Sequence, residues 1–552
     1  MRQFLSNLRV FTSSRETTSL SSVSRYLYCS DSAKLPGLVA TLGTKFAILS
    51  LSILSVSLSI HAAVENRPNI LFIMSDDHAA HAISAYGGRL AEVAPTPNLD
   101  RLARDGMRFT NAFVTNSICT PSRAVLWTGK YSHQNGVYKF TGLDQSQPTL
   151  PKYMQAHGYQ TGFVGKYHLH TNPVGFDHWS ILPGQGKYHD TAFIEMGDEH
   201  PSGVVSQGKQ TPNPGWHSTD IITKKALDWF KDIRDPDRPF FYMLHYKAPH
   251  DLWQHAHRYD DYLADVEIPE PDTLFDHGSG RSPALEQSTQ EIGGRSHHTQ
   301  FTPEIKAMPD SKEKRRLVYQ EYMKRYLRCV KGVDDNMGKV LDYLDESGLS
   351  KNTVVIYTAD QGFFLGEHGL YDKRLIYEEA LRVPLMLRWP GKVKAGSVRN
   401  EIVLNLDYAE TILDLAGHPI PQDMQGRSLK PLFTGEAVND WRGSFYYRYY
   451  YSHFDTPSHY GLRSQDHKLI YWDTRDEWEL YDLKFDPQET KNLAANPEWS
   501  ATLAKLKSEL LTLQRNAGDD PNDIGDHPRT GNPALDKFEA DRLARQAANK
   551  KE

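Results

Sequence analysis

The run N-I-L-F-I-M-S at 69–75 is apolar at successive positions and then stops on polar residues, as a short strand buried on both faces does. The same signature returns in T-G-F-V-G-K-Y-H (161–168), P-F-F-Y-M-L-H-Y (239–246), T-V-V-I-Y-T-A-D (353–360) and V-P-L-M-L-R-W-P-G (383–391). Between these runs the apolar spacing becomes helical. T-P-N-L-D-R-L-A-R-D-G (96–106) ends on a glycine stop, residues 220–233 are amphipathic, and residues 322–348 predict one long helix, or two in succession. Buried strands separated by helices predict an α/β fold: a large, mostly parallel sheet sandwiched by helices.

Two stretches break the pattern. Residues 264–316 are polar and carry Pro, Gly, His and Ser, which predicts a long insertion serving as a functional wall or a mobile loop. Near residue 435 the chain turns aromatic and β-prone. F-Y-Y-R-Y-Y-Y-S-H-F (445–454), H-K-L-I-Y-W (467–472) and W-E-L-Y-D-L (478–483) suit a smaller antiparallel sheet, followed by a helix over 498–515. Residues 46–60 form an apolar run after Lys45 that ends at His61-Ala62-Ala63. It is short for a membrane span and reads as a secretory leader cleaved near Ala62 or Ala63, with a retained anchor as the alternative. The expected organisation is a leader over 1–63, a main domain over 64–435, a C-terminal α+β subdomain over 436–515 and a charged tail over 516–552. The expected location is periplasmic or secreted, with no stable membrane association after cleavage.

At 552 residues the chain is too long for a single core. Its net charge of −6 gives no global attraction for nucleic acid, so an anionic substrate must be drawn by a local cluster of cations. The three cysteines are Cys29, Cys119 and Cys329. Leader cleavage would remove the first, and two cannot form a disulfide framework. Cys119 therefore needs another explanation.

Candidate chemistry gathers at the strand ends. Asp76 and Asp77 close one strand, Lys166 and His168 another, His250 follows a third, and Asp360 and Gln361 end a fourth. In parallel α/β sheets the crevice at the carboxyl ends of the strands binds ligands. Taken singly, each of these residues is more often a helix cap, a solvated charge or a structural histidine. Together they supply three carboxylates and one amide oxygen, hard donors that suit calcium or magnesium rather than zinc.

The segment N-S-I-C-T-P-S-R-A (116–124) contains C-x-P-S-R. With D-D (76–77), G-K-Y-H (165–168), A-P-H (248–250), D-Q-G (360–362) and D-K-R (372–374) in order, the chain resembles the formylglycine-dependent sulfatases of the alkaline phosphatase superfamily over roughly residues 66–495. The resemblance implies an alkaline phosphatase-like fold, one calcium ion, and oxidation of Cys119 to formylglycine by a formylglycine-generating enzyme. It implies metal ligation by Asp76, Asp77, Asp360 and Gln361, although many relatives carry Asn at the last position. Arg123 would orient the formylglycine hydrate and the metal carboxylates, and Lys166 and Lys373 would bind sulfate oxygens. His168 would contact the hydrate and take up its proton during elimination, and His250 would protonate the leaving oxygen. One departure is local: relatives commonly read G-K-W-H-L-G where this chain reads G-K-Y-H-L-H, so His170 replaces a glycine.

The strings L-P-G-Q-G-x-Y and F-L-G-E-H-G-L-Y-D-K-R look similar to the branch that includes bacterial N-acetylglucosamine-6-sulfatases, while other branches act on marine polysaccharides such as ulvan, carrageenan or fucan. The expected activity is hydrolysis of sulfate esters on a sulfated oligo- or polysaccharide, either glucosamine-6-sulfate or a marine glycan. Residues 175–190 and 264–316 are expected to shape an extended cleft. The aromatics of 445–460 would offer stacking faces, and His178, His459 and Arg463 would offer polar groups to the sugar. The alternatives are a phosphonate monoester or phosphodiester hydrolase of the same superfamily, and a non-catalytic glycan-binding relative.

Overall fold

A computed structural model of the protein describes residues 67–520, except 277, 279, 295–301, 437 and 451–455. The expected leader and residues 521–552 of the tail lie outside the described residues.

The apolar runs become the centre of a ten-stranded sheet. Its strands in chain order are β1 (Asn69–Ser75), β2 (Met107–Phe109), β3 (Gln160–Gly165), β4 (His178–Ile181), β5 (Ala192–Glu195), β6 (Gln210–Pro212), β7 (Phe240–His245), β8 (Thr353–Ala359), β9 (Leu385–Arg388) and β10 (Ser397–Arg399). Their spatial order is β10-β2-β9-β8-β1-β7-β3-β4-β5-β6. The central block β8-β1-β7-β3-β4 is parallel, whereas β9 runs antiparallel to β8. Strand β1 shows why the run had to be continuously apolar. Ile70, Phe72 and Met74 face one core and Leu71 and Ile73 the other, all but fully buried. At roughly 1.5–3 kcal/mol per buried large apolar side chain, both faces reward the alternation, and a one-residue slip would exchange them.

Helices cover both faces: α1 (Pro97–Asp105), α2 (Cys119–Thr128), α3 (Ser218–Asp228), α4 (Lys312–Glu346) and α5 (Tyr408–Leu415). Several expectations are corrected in detail. The helix expected over 220–233 ends at Asp228 and continues as a π-turn over Trp229–Ile233. The segment expected to hold one helix or two is a single helix of 35 residues, α4, whose first turns come from the end of the polar insertion. The strand expected over 161–168 stops at Gly165, which releases Lys166 and His168 into the crevice. Residues 175–190 are not purely cleft wall, because they contain β4 with Trp179 and Ile181 buried. The insertion is anchored by buried Ile268, Leu274, Leu285 and Ile292.

The C-terminal part is a four-stranded antiparallel sheet of β11 (Ser444–Tyr449), β12 (His459–Ser464), β13 (His467–Trp472) and β14 (Glu477–Asp482). Helix α6 (Ser500–Ala517) lays Leu506 and Leu510 against it. Among the described residues no helix is long and apolar enough to cross a membrane.

Candidate active site

Strand register builds the site. Ser75 pairs with Ala359, so the next residues, Asp76 and Asp360, emerge side by side. Met74 and Gly165 both pair with His245, so Lys166 and the K-A-P-H segment leave the same edge of the sheet. Gly165 is required there: it has φ +107°, and a Cβ would lie 1.9 Å from the His245 carbonyl oxygen. Asp77 turns back at φ +61°, a left-handed conformation that Asp tolerates.

Helix α2 points its first residue, Cys119, at this edge. The Cys119 Sγ lies 3.6 Å from Asp76 Oδ1 and 3.8 Å from Gln361 Nε2. Arg123, one turn further along, shares that face of the helix. Its guanidinium donates to Asp360 Oδ2 at 2.8 and 3.0 Å and to the Lys166 carbonyl at 2.5 Å. Lys166 is ion-paired with Asp76 Oδ2, and Lys373 Nζ is 2.7 Å from Asp77 Oδ2. His168 is buried against Thr120 and the ring of Phe140, whose centroid is 5.7 Å away. His250 places Nε2 3.8 Å from Asp77 Oδ2. The ten residues expected to serve catalysis and metal binding are thus brought to one buried cluster.

The electrostatics are those of carboxylates crowded in a dry site. Burial and the neighbouring Asp76 push Asp360 up to about 7 against the pull of Arg123. Burial also raises Asp77, and Lys373 and His250 only partly offset it. For Asp76 burial acts the same way, but Lys166, His250 and Arg123 together hold it well below the usual carboxylate range. Burial, Lys166 and His170 keep His168 well below the ordinary histidine value, hence neutral and able to accept a proton. Burial and Asp76 raise the Cys119 thiol to about 12, so on the order of one molecule in 10⁵ is thiolate at pH 7.

The donor set fits a hard divalent cation. One oxygen from each of Asp76, Asp77 and Asp360 lies within 4.8 Å of the others, and Gln361 Oε1 is buried with no hydrogen-bond partner among the described residues. The two ends of that amide exchange by a half-turn about its last bond, so the set offers three carboxylates and one amide oxygen. Removal of such an ion leaves the carboxylates to repel one another. Chelation is therefore expected to lower both activity and Tm. An ion held at about 100 times its Kd contributes about 2.7 kcal/mol. With roughly 2.1 cal/mol/K of unfolding entropy per residue, that is a fall of roughly 3 °C, measurable by calorimetry with and without chelator. Asp360→Asn should shift the half-maximal metal concentration upward; full activity in a verified metal-free preparation would refute the assignment.

Three residues expected at the sugar lie elsewhere. His178 begins β4 opposite Gly162, three register steps back from the catalytic edge, with Glu195 and Lys225 as its charged neighbours. His459 is a buried core histidine bonded to the Pro457 carbonyl and packed on Trp472. Arg463 is consumed by Glu378 at 3.1 Å. The Ala248–Pro249 peptide just before His250 is cis, and 247–250 form a turn closed by the His250 N–H on the Lys247 carbonyl.

Other residues of the site escaped sequence reasoning. His245 ends β7 and meets Arg123 at 3.3 Å. Lys247 is buried in the same K-A-P-H string that revealed His250, and burial and Lys166 lower it to about 8. Tyr188 donates its hydroxyl to the His250 carbonyl, and Gln290, from the insertion, donates to the Lys373 carbonyl at 2.5 Å. Tyr188 closes the L-P-G-Q-G-x-Y string, whereas no sequence signal marks Gln290.

The fold and site define a hydrolase built on an alkaline phosphatase-like sheet, with a carboxylate cluster at its catalytic edge. The model of the sulfatase family matches residues 68–418, and that of the N-sulphoglucosamine sulphohydrolase C-terminal region matches 366–516. The chain belongs to the sulfatase family and is a sulfuric ester hydrolase. It is 40% identical to the N-acetylglucosamine-6-O-sulfatase of Bacteroides thetaiotaomicron, over 81% of this chain and 85% of that one. It is 29% identical to the human N-acetylglucosamine-6-sulfatase over 70% of this chain and 68% of the relative. Among solved structures, BT4656 in complex with its substrate D-glucosamine-2-N,6-O-disulfate superposes with a TM-score of 0.77 at 39% identity, covering 83% of this chain and 99% of that one.

Proposed function

We propose that the protein removes the 6-O-sulfate of glucosamine units in a sulfated glycan, with a formylglycine made from Cys119 by a formylglycine-generating enzyme as nucleophile and a calcium ion held by Asp76, Asp77, Asp360 and Gln361. The observation that carries the chemistry is the buried contact of Cys119 with Asp76 inside a cluster holding both lysines and both histidines. A thiol pushed up to about 12 is a poor nucleophile, whereas an aldehyde hydrate has one hydroxyl to attack sulfur and a second whose proton loss expels sulfate. The calcium ion would neutralise the crowded carboxylates and acidify the hydroxyl beside it.

The chain's own residues supply the rest. Arg123 fixes the Asp360 carboxylate through two hydrogen bonds. Lys166 and Lys373 set two ammonium groups where sulfate oxygens gain charge. Neutral His168, beside Thr120, takes the proton that drives elimination. His250 gives a proton to the departing sugar oxygen. The glucosamine assignment draws on the relatives named for that activity and on the L-P-G-Q-G-x-Y string that ends in Tyr188. The apolar run at 46–60 supports export to the periplasm or medium, where such glycans are met.

The test is sulfate release from a panel of sulfated mono- and oligosaccharides with product analysis. Glucosamine 6-sulfate should exceed its 3-O-sulfated and galactosamine counterparts in kcat/KM by at least roughly tenfold. Preference for a carrageenan, ulvan or fucan oligosaccharide would overturn the substrate assignment.

A further inference from the structure

We infer that Asp251 is the positioning residue for His250, holding the imidazole with hydrogen on Nδ1 and Nε2 turned to the reacting oxygen. The inference rests on the proposed role of His250 as leaving-group acid. His250 Nδ1 lies 2.6 Å from Asp251 Oδ1 and 2.8 Å from the Asp251 carbonyl oxygen. Both of these atoms are acceptors, so Nδ1 must carry the hydrogen. The other nitrogen, Nε2, faces inward, 3.8 Å from Asp77 Oδ2 and within the cluster formed with Asp76 and Cys119.

The segment that presents this pair is itself clamped. Lys247 Nζ donates to the Asp251 carbonyl at 3.2 Å, while its ammonium sits 4.8 Å over the Tyr188 ring. The Tyr188 hydroxyl donates to the His250 carbonyl, and the His250 N–H donates to the Lys247 carbonyl at 3.1 Å. Backbone bonds thus fix the turn, and the Asp251 carboxylate fixes the ring.

The proton balance explains why the ring needs fixing. As the S–O bond breaks, its electron pair stays on the sugar oxygen, and the proton on Nε2 moves to that oxygen. The imidazole is left neutral with its hydrogen on Nδ1, the tautomer that Asp251 already holds. A ring free to rotate would present the wrong nitrogen for part of the time, and the transfer would lose its aim. Asp251 touches no substrate; it acts through His250.

The test compares Asp251→Ala, Asp251→Asn, His250→Ala and the double variant on glucosamine 6-sulfate and on nitrophenyl sulfate, whose leaving group needs little protonation. Asp251→Ala should lower kcat on the sugar sulfate by roughly 10- to 100-fold, as loss of other orienting partners does, with a much smaller loss on the aryl ester and little change in KM. Asp251→Asn keeps a side-chain oxygen able to accept from Nδ1–H and should recover part of the loss. In the His250→Ala background, removal of Asp251 should cost nothing further on the sugar ester. A substrate-selective loss in His250→Ala alongside equal losses on both substrates in Asp251→Ala would overturn the role of Asp251 alone. Equal losses in His250→Ala would sink the acid role of His250, and this inference with it.

Discussion

Cys119→Ser is expected to lower steady-state sulfate release by roughly 10³-fold or more while the protein stays folded. The two side chains are nearly isosteric, and Cys119 occupies the first turn of α2, where serine is well tolerated. Its neighbours at 3.6 and 3.8 Å, Asp76 and Gln361, both accommodate a hydroxyl. The fold therefore has little reason to fail, and Tm should stay close to wild type. Chemistry fails for a different reason. Serine has a single hydroxyl, which can take sulfate from an ester but retains no second hydroxyl with which to expel it. The variant should perform one turnover and stop, carrying the mass of one sulfate on the peptide that contains residue 119. Wild-type peptide from cells with a formylglycine-generating enzyme should lack the cysteine sulfur. Repeated turnover by the serine variant, or an active enzyme whose residue 119 is wholly unmodified thiol, would remove the basis of the proposed mechanism.

The central sheet was legible because its strands are buried on both faces. A strand such as β1 has no solvent side, so seven residues in succession declare it, and the first polar residues after it mark the carboxyl edge. That is why Asp76, Lys166 and Asp360 could be assembled from positions as far apart as 76 and 360 in the chain. Other strands carry no such signal. β4 is four residues long and begins with a histidine. β12 reads H-Y-G-L-R-S, and Gly461 breaks its pattern because the backbone of Leu469 comes too close for a Cβ, 2.2 Å from its ideal position. A glycine that permits close pairing looks in sequence like a glycine that ends a strand.

Polar residues divided along the same line. Those in short strings with other chemical groups, such as His250 in K-A-P-H, were found. Those whose meaning depends on a distant partner were misjudged or missed. Arg463 answers to Glu378, 85 residues away, so a charge expected at the sugar is spent joining the C-terminal sheet to the main domain, as is that of Lys468, 3.1 Å from the same carboxylate. Tyr447 does similar work, donating to the Arg374 carbonyl at 2.5 Å and meeting Ser117 at 2.9 Å, which ties β11 to the loop carrying Lys373 and to the approach to α2. His170, where relatives commonly have glycine, keeps the glycine-like backbone at φ +62° and sets its ring 5.1 Å from that of His168. A histidine held in that left-handed conformation carries a backbone cost typically of about 1 kcal/mol or more.

His250→Ala is expected to slow a sugar sulfate far more than a nitrophenyl sulfate. A sugar alkoxide is a poor leaving group, so the S–O bond breaks readily only if a proton arrives as charge develops on oxygen. A positioned acid typically contributes about 10²–10⁴-fold. A nitrophenolate carries its own charge and needs the proton much less. The structure puts His250 at the right boundary for this work: its side chain is 10% exposed, its Nε2 lies within 4 Å of the Asp77 carboxylate, and it leaves the sheet edge one strand away from Asp76. A residue on the wall of the cluster can meet the group that departs, whereas the fully buried Arg123 can act only on what stays. Removing the imidazole also leaves Asp77 with Lys373 as its only cation within ion-pair distance among the described residues, so part of any loss would be electrostatic and common to all substrates. The measurement must therefore be a ratio. kcat/KM is determined for wild type and variant on glucosamine 6-sulfate and on nitrophenyl sulfate, and the shared electrostatic loss cancels between them. A ratio that falls by about 10²-fold or more assigns the proton to His250; equal losses on the two esters would mean that His250 binds sulfate or supports the metal carboxylates, and that the proton reaches the sugar from another group.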